Sequence, residues 1–168
     1  MSDEILNKVD SSGLITIDLE DFLPKEEIVL FDIKPYLFME QILREKDFRE
    51  ALKKTAWPGY KNKTVAVFCS VEAIIPAWAY MLIATYLQPF AGDIIMGDEK
   101  EAAKQMMLKR INEINPGDYQ EKRVIIKGCG DFFIDPAAYM QITKKILPAA
   151  KSIMYGEACS NVPVYKKK

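Results

Sequence analysis

The hydrophobic pattern changes near Gly59, from scattered apolar runs to a regular alternation of strand-length and helix-length segments. Before that point, the run from Leu14 to Leu19 predicts a strand, and Glu27 to Ile33 predicts a second, shorter one. Apolar residues then recur at helical spacing from Pro35 to Lys54, which predicts one helix or two. A further short helix is a candidate at Asp3 to Val9.

Beyond Gly59, apolar runs alternate with helical segments in the order typical of βαβ units. The predicted strands are Thr64 to Phe68, Asp93 to Met96, Arg123 to Lys127 and Ser152 to Tyr155, and the predicted helices are Ala73 to Gln88, Glu99 to Ile114 and Pro136 to Leu147. We therefore expect a three-layer α/β fold, with a mostly parallel sheet of about five strands built from two similar βαβ units plus an N-terminal strand and helix. The 168 residues fit one domain, in which residues 1–59 form an N-terminal extension.

Residues 63–98 and 122–157 resemble each other. In each copy an apolar strand leads to a cysteine, Cys69 or Cys129, and a proline follows seven residues later, at Pro76 or Pro136. If the leading strands are neighbours in a doubly wound sheet, the two cysteines meet at its switch point. The alternative is that the βαβ architecture alone imposes the likeness.

Composition and charge exclude several classes of function. The 23 basic and 24 acidic residues leave a net charge of -1, which provides no positive surface for binding nucleic acid. The N-terminus lacks the basic start and apolar run of a secretory signal, and the longest apolar stretch, Ile74 to Leu87, is too short to cross a membrane. We therefore expect a cytoplasmic protein with no membrane partner.

Three cysteines and no histidine limit the chemistry that is available. In a reducing compartment cysteines are thiols or metal ligands rather than disulfides. The absence of histidine removes the usual general base near pH 7 and the commonest zinc ligand. Any reaction must therefore depend on Cys, Asp, Glu, Lys, Tyr or a bound cofactor.

The three cysteines follow three predicted strands, so they are expected at one edge of the sheet. Cys69 alone is more typical of a core position, whereas the flanking glycines of Cys129 expose backbone amides that stabilise a thiolate. Converging thiolates select zinc or an iron–sulfur cluster, and a nearby carboxylate, including that of Asp98, offers a fourth ligand. The predicted metal ligands are Cys69, Cys129, Cys159, Asp131 and Glu157.

Two other hypotheses remain open. Cys129 is also a candidate nucleophile or sulfur carrier, with Cys159 or Cys69 as its resolving thiol. The chain is alternatively a non-catalytic protein-interaction module with structural cysteines, and its tyrosines and tryptophans supply aromatic surface. Nucleotide binding is not favoured, because the sequence contains neither G-x-G-x-x-G nor a Walker A motif.

Four motifs resemble the uncharacterised bacterial family called domain of unknown function 2480: Ser12 to Asp21, Phe31 to Lys34, Lys127 to Asp131 and Tyr155 to Ser160. That family has no established activity, so the resemblance implies no mechanism. Its genes tend to lie near iron–sulfur cluster assembly genes, and the resemblance therefore implies iron–sulfur assembly proteins as partners. The leading hypothesis is a cysteine-based metal or iron–sulfur protein that assists cluster assembly or sulfur handling. The oligomeric state, a homo-oligomer included, is left open.

Overall fold

The computed structural model describes residues 13–128 and 130–168. Its strands are β1 (Leu14–Asp18), β2 (Ile28–Asp32), β3 (Thr64–Phe68), β4 (Asp93–Met96), β5 (Arg123–Lys127), β6 (Ser152–Glu157) and β7 (Ser160–Lys166). Its α-helices are α1 (Glu45–Lys54), α2 (Ala77–Leu87), α3 (Glu99–Glu113) and α4 (Pro136–Ile146). No helix in the described part of the chain is both long and apolar enough to cross a membrane. The helix candidate at Asp3 to Val9 lies outside these residues.

The strands form two sheets, ordered β1-β5-β6-β7 and β2-β3-β4. All neighbouring strands are parallel except β6 and β7, which form an antiparallel hairpin. The α/β class and the mostly parallel sheets predicted from the sequence are confirmed. The described strands number seven in two sheets, however, where about five in one sheet were expected.

The chain divides into two compact units, each with its own sheet. Unit 1 comprises Met1–Leu23 and Met106–Lys168, and unit 2 comprises Pro24–Gln105. The chain therefore leaves unit 1 after β1, completes unit 2, and returns to unit 1 within α3.

The core of unit 2 lies between one face of its sheet and two helices. Phe31 of β2 and Val65 and Val67 of β3 pack with residues of α1 and α2. The helices contribute Phe48, Leu52, Ala79, Ile83 and Leu87, none of which is exposed. Strands β2, β3 and β4 are neighbours in chain order, so right-handed crossovers place α1 and α2 on the same face of the sheet. Unit 2 by itself therefore has two layers, one of sheet and one of helices.

The core of unit 1 has the same construction with aliphatic residues. Its strands contribute Ile17, Val124, Ile126 and Ile153. The C-terminal half of α3 contributes Met107 and Ile111, and α4 contributes Ala138, Ile142 and Ile146. Unit 1 by itself therefore also has two layers, and neither sheet contains the switch point of a doubly wound fold.

From α1 to β4, residues of unit 2 have their equivalents in unit 1 59 positions later, whereas β2 lies 14 positions after its equivalent β1. Buried side chains correspond in this way: Phe48 with Met107, Leu52 with Ile111, Val65 with Val124, and Ile83 with Ile142. The turns before β3 and β5 contain residues of positive φ, Asn62 at 60° and Glu121 at 55°. The turns after β4 and β6 contain Gly97 and Gly156, also of positive φ. Each unit is therefore one copy of a β-α-β-α-β arrangement, with β1 equivalent to β2.

In this correspondence the two cysteines of the sequence repeat, Cys69 and Cys129, are not equivalent residues. A shift of 59 residues pairs Cys69 with Gly128, and Pro76 with Asp135, whereas the cysteine-to-proline match in the sequence requires a shift of 60. The leading strands β3 and β5 are each the central parallel strand of a different sheet. The condition that they are neighbours, on which the meeting of Cys69 and Cys129 depends, is therefore not met.

Three predicted boundaries also differ from the structure. Between Pro35 and Lys54 only α1 is α-helical, because Met39 and Glu40 have positive φ values of 52° and 57° and interrupt the helical pattern. Helix α2 begins after Pro76 instead of at Ala73, consistent with the extended backbone of that proline. Strand β7 is absent from the strands predicted from the sequence, and it tolerates Pro163 because it lies at the edge of its sheet.

Candidate functional site

Charged residues gather at the carboxyl ends of the parallel strands of unit 1. Asp18 ends β1, Lys127 ends β5, and Glu157 ends β6. Asp18 and Lys127 are direct partners in the register of the sheet. Because β1, β5 and β6 run parallel, all three side chains are carried to the same edge.

Lys127 is the positive centre of this edge. Its Nζ lies 2.9 Å from Asp18 Oδ2, and both side chains are about one-third exposed. The hydrogen bond with Asp18 raises the pKa of Lys127 above its ordinary value, and the charges of Asp18, Glu157 and Glu20 raise it further. The ammonium therefore stays protonated, and three carboxylates surround a single positive charge.

Glu20 contains a buried carboxylate oxygen that lacks a partner. Its Oε1 atom accepts no hydrogen bond from any described residue. The carboxylate lies against Gly130, where any Cβ atom would overlap it. Leaving a buried carboxylate oxygen unsatisfied is unfavourable, so this oxygen is suited to accept a donor or bind a cation.

The cysteines of unit 1 follow neighbouring strands. Cys129 lies outside the described residues, and its sequence position is two residues after the end of β5. Cys159 is exposed and, with Ala158, forms the two-residue turn between β6 and β7. Because β5 pairs with β6, the strands that lead to these two cysteines are adjacent. Asp131 is also exposed, in the segment between β5 and α4.

The third predicted cysteine ligand belongs to unit 2. Cys69 is half-buried and packs against the apolar core of that unit, as expected for a core residue. Burial, together with the nearby Cys69, raises the pKa of Tyr80. Asp98, considered as a fourth ligand, accepts the amide hydrogen bond of Glu101 at 2.9 Å and caps α3.

The described residues contain no group of three Cys, Asp or Glu side chains placed to hold a metal ion. Cys129 lies outside these residues. The predicted ligand set of Cys69, Cys129, Cys159, Asp131 and Glu157 therefore stays a prediction, as does the choice of zinc or an iron–sulfur cluster.

In unit 2, the carboxylate at the end of β2, the strand equivalent to β1, is hydrogen-bonded by residues of the same unit. Asp32 accepts hydrogen bonds from Ser70 Oγ at 2.6 Å, from the Ser70 amide at 3.0 Å and from the Lys34 amide at 2.9 Å. Partial burial acts to raise the pKa of Asp32, but these hydrogen bonds outweigh it and lower the pKa below its ordinary value. Both oxygens of this carboxylate are therefore used within the unit.

Sequence reasoning missed Asp18, Glu20 and Lys127 as site residues. The signal was present, since Asp18 and Asp32 are each the last residue of a five-residue strand that is otherwise mostly apolar. Recognising Lys127 as the partner of Asp18 requires the pairing of β1 with β5, which lie more than a hundred residues apart in the sequence.

A groove of about 580 Å³ lies along unit 1 between α4 and the hairpin of β6 and β7. It is lined by Ile126, Tyr139, Met140, Thr143, Lys144, Leu147, Ile153, Met154, Tyr155 and Val164. Tyr139 and Tyr155 form an edge-to-face pair at one end, with ring centroids 5.6 Å apart. The groove exists because β7 extends the sheet beyond the strands that α4 covers.

Comparison with known proteins identifies a family but no activity. The family model described as protein of unknown function (DUF2480) matches residues 3–167, which confirms the resemblance seen in the sequence motifs. No curated protein and no solved structure matches the chain.

Proposed function

The chain belongs to the DUF2480 family, a family of unknown function, and we propose from its own residues that unit 1 binds a divalent metal ion. The proposed site is at the carboxyl ends of β5 and β6. Its ligands are the thiolates of Cys129 and Cys159 and the carboxylate of Glu20, with water in the fourth position. Cys69, which packs in the core of unit 2, is not a ligand in this proposal.

The observation that carries the proposal is the unsatisfied Glu20 Oε1. A buried carboxylate oxygen without a hydrogen bond loses its hydration and gains nothing in return. This oxygen lies against Gly130, the residue that directly follows Cys129. A cation bound there would satisfy the oxygen and would be adjacent to the segment that contains the thiol.

Charge and ligand type favour the same kind of ion. The carboxylates of Asp18, Glu157 and Glu20 all raise the pKa of Lys127, and together they carry more negative charge than its one ammonium offsets. Zinc accepts both thiolate and carboxylate ligands, whereas iron–sulfur clusters are held mainly by thiolates. Two thiolates with one carboxylate therefore fit a single zinc ion better than a cluster.

The proposal assumes a cytoplasmic protein, where thiols stay reduced and available as ligands. Iron–sulfur assembly proteins remain the predicted partners, because a protein that holds zinc or iron through thiolates has the ligand chemistry to exchange metal with them.

The test is metal analysis of the full chain, purified without oxygen and incubated with zinc or with ferrous iron and sulfide. We expect about one zinc per chain, lost in Cys129→Ser and in Cys159→Ser, and bound at least about tenfold more weakly in Glu20→Gln. Cys69→Ser is the matched control and should retain full stoichiometry. Thermal midpoints of all four variants separate loss of metal from loss of fold.

Two results would overturn the proposal. The first is the absence of stoichiometric metal under both conditions. The second is full metal retention in Cys129→Ser. Binding that depends on Cys69 as well, with a visible iron–sulfur absorption spectrum, would instead support the three-cysteine cluster predicted from the sequence.

A further inference from the structure

The groove of unit 1 is lined by several apolar side chains that stay exposed to solvent. Met140 is 74% exposed, Val164 56% and Leu147 38%, and all three line the same groove. Contiguous exposed apolar surface in a concave site is a common sign of ligand binding. The groove volume of about 580 Å³ falls within the range of small-molecule sites.

The charge of the groove restricts the ligand further. Lys144 is the one charged residue among those that line it, and no described residue forms an ion pair with it. The neighbouring Lys145 is on the same last turn of α4 but is not part of the lining. An apolar surface with one unpaired ammonium at its side is complementary to an apolar molecule with one negative group.

We propose that this groove binds a small apolar carboxylate, such as an acyl chain or an aromatic acid. The carboxylate pairs with Lys144, and the apolar part lies along Leu147, Ile153 and Val164 towards the rings of Tyr139 and Tyr155. This site is separate from the metal site proposed above and does not depend on it.

Comparison with unit 2 shows that the features of the groove are particular to unit 1. The position of Lys144 is occupied by Thr85 in unit 2, and that of Leu147 by Gln88. No described strand of unit 2 corresponds to β7, which supplies Val164. Met140 does have an exposed counterpart, Met81, which is 69% exposed.

The experiment measures how decanoate and decanol displace Nile red from the full chain, below the micelle concentration. We expect both to compete, with decanoate the tighter. Lys144→Gln should weaken decanoate about three- to tenfold and leave decanol unchanged, because only the charged hydrogen bond is lost. Lys145→Gln is the control on the same helix.

A second pair of variants tests the location of the site. Met140→Glu should abolish competition by both molecules, while the equivalent change in unit 2, Met81→Glu, should leave it intact. Both methionines are exposed and glutamate is a good helix former, so both variants are expected to fold. The thermal midpoint of each variant checks this.

Three outcomes would overturn the inference. One is the absence of competition by decanoate at concentrations up to about 1 mM, the weak end of specific binding. Another is an equal weakening of decanoate and decanol binding by Lys144→Gln, which would mean that Lys144 affects the groove through the end of α4 and does not pair with the carboxylate. The third is a dimer in solution that Met140→Glu dissociates, since a second copy of the chain would then cover the groove.

Discussion

In unit 2, the carboxylate at the end of β2 belongs to Asp32 and accepts three hydrogen bonds, two of them from Ser70. In unit 1, the equivalent Asp18 accepts the amide hydrogen bond of Glu20 at 3.0 Å and pairs with Lys127, while Glu20 itself has a buried oxygen to which no described residue donates. The aspartate at the strand end is therefore satisfied in both units, and the units differ two residues later, where unit 2 has Lys34 and unit 1 has the buried carboxylate of Glu20. In the two proposals above, unit 1 is the unit that binds a ligand and unit 2 contributes mainly structure.

The hydrophobic cores of the two units also differ in composition. In unit 2, aromatic rings fill the space between helices and sheet: Phe31 stacks on Trp57 at 5.6 Å, and Trp57 on Tyr86 at 5.1 Å. In unit 1, the corresponding layer consists mostly of isoleucine, and the added strand β7 leaves a groove beside α4. Aromatic rings bury more surface per residue, which is consistent with a structural role for unit 2.

The largest predicted effect on the free energy of unfolding tests whether α1 and the end of α3 are equivalent. Leu52 of α1 and Ile111 of α3 occupy matching positions and are both 0% exposed. Leu52→Ala and Ile111→Ala should each lower the free energy of unfolding by about 3 kcal/mol, because each leaves a cavity in a packed core. Urea denaturation measures both, with the half-exposed Leu30→Ala as a control that should cost less than about 1 kcal/mol. A cost below that level at either buried position would contradict the equivalence of α1 and the end of α3.

Local signals were sufficient for much of the fold. Strands β3, β4 and β5 were predicted to the residue, because a buried parallel strand appears as a short, mostly β-branched run bounded by turn residues. Strand β7 was missed because Asn161 and Pro163 are typical of turns, and only the edge position makes them compatible with a strand.

The local sequence pattern does not predict that the strands divide into two sheets. The pairing of β1 with β5 across the whole of unit 2 decides it, and no property of Leu14–Asp18 alone distinguishes β5 from β3 as its neighbour. The candidate site shares this limit. Glu157 and Asp131 are recognisable as acids near strand ends, whereas the ion pair of Lys127 follows from the non-local pairing of β1 with β5, and the groove depends on β7, which the sequence does not predict.

A smaller effect is expected at the equivalent residues Gly128 and Cys69. A Cβ atom at Gly128 would lie 2.5 Å from Tyr139 Oη and 3.3 Å from Ile134 Cγ1, whereas Cys69 already has a side chain at this position. Gly128→Ala should therefore destabilise the protein by about 1–2 kcal/mol, and Cys69→Ala by less than about 1 kcal/mol. Urea denaturation measures both values.

Tyr139→Phe provides the control for this comparison, because it removes the hydroxyl that the new methyl group would meet. In the Tyr139→Phe background, Gly128→Ala should cost at least about 0.5 kcal/mol less than in the native chain, as a double-mutant cycle would reveal. Equal costs in the two backgrounds would mean that the tyrosine does not select glycine at this position.

The smallest effect concerns Asp32 and depends on pH. Since its hydrogen bonds hold the pKa below the ordinary value of 3.8, they stabilise the fold above that pH, and the contribution is lost as pH falls through the lower, folded-state pKa. Ser70→Ala should cost about 1 kcal/mol at pH 7, shrink towards zero in stronger acid, and raise the pKa of Asp32 in a carboxyl NMR titration. Ser160→Ala, at an exposed serine of unit 1, should change stability by less than about 0.5 kcal/mol at any pH. A Ser70→Ala cost that is the same at pH 7 and in strong acid would show that the hydrogen-bonded strand end of unit 2 does not depend on this carboxylate.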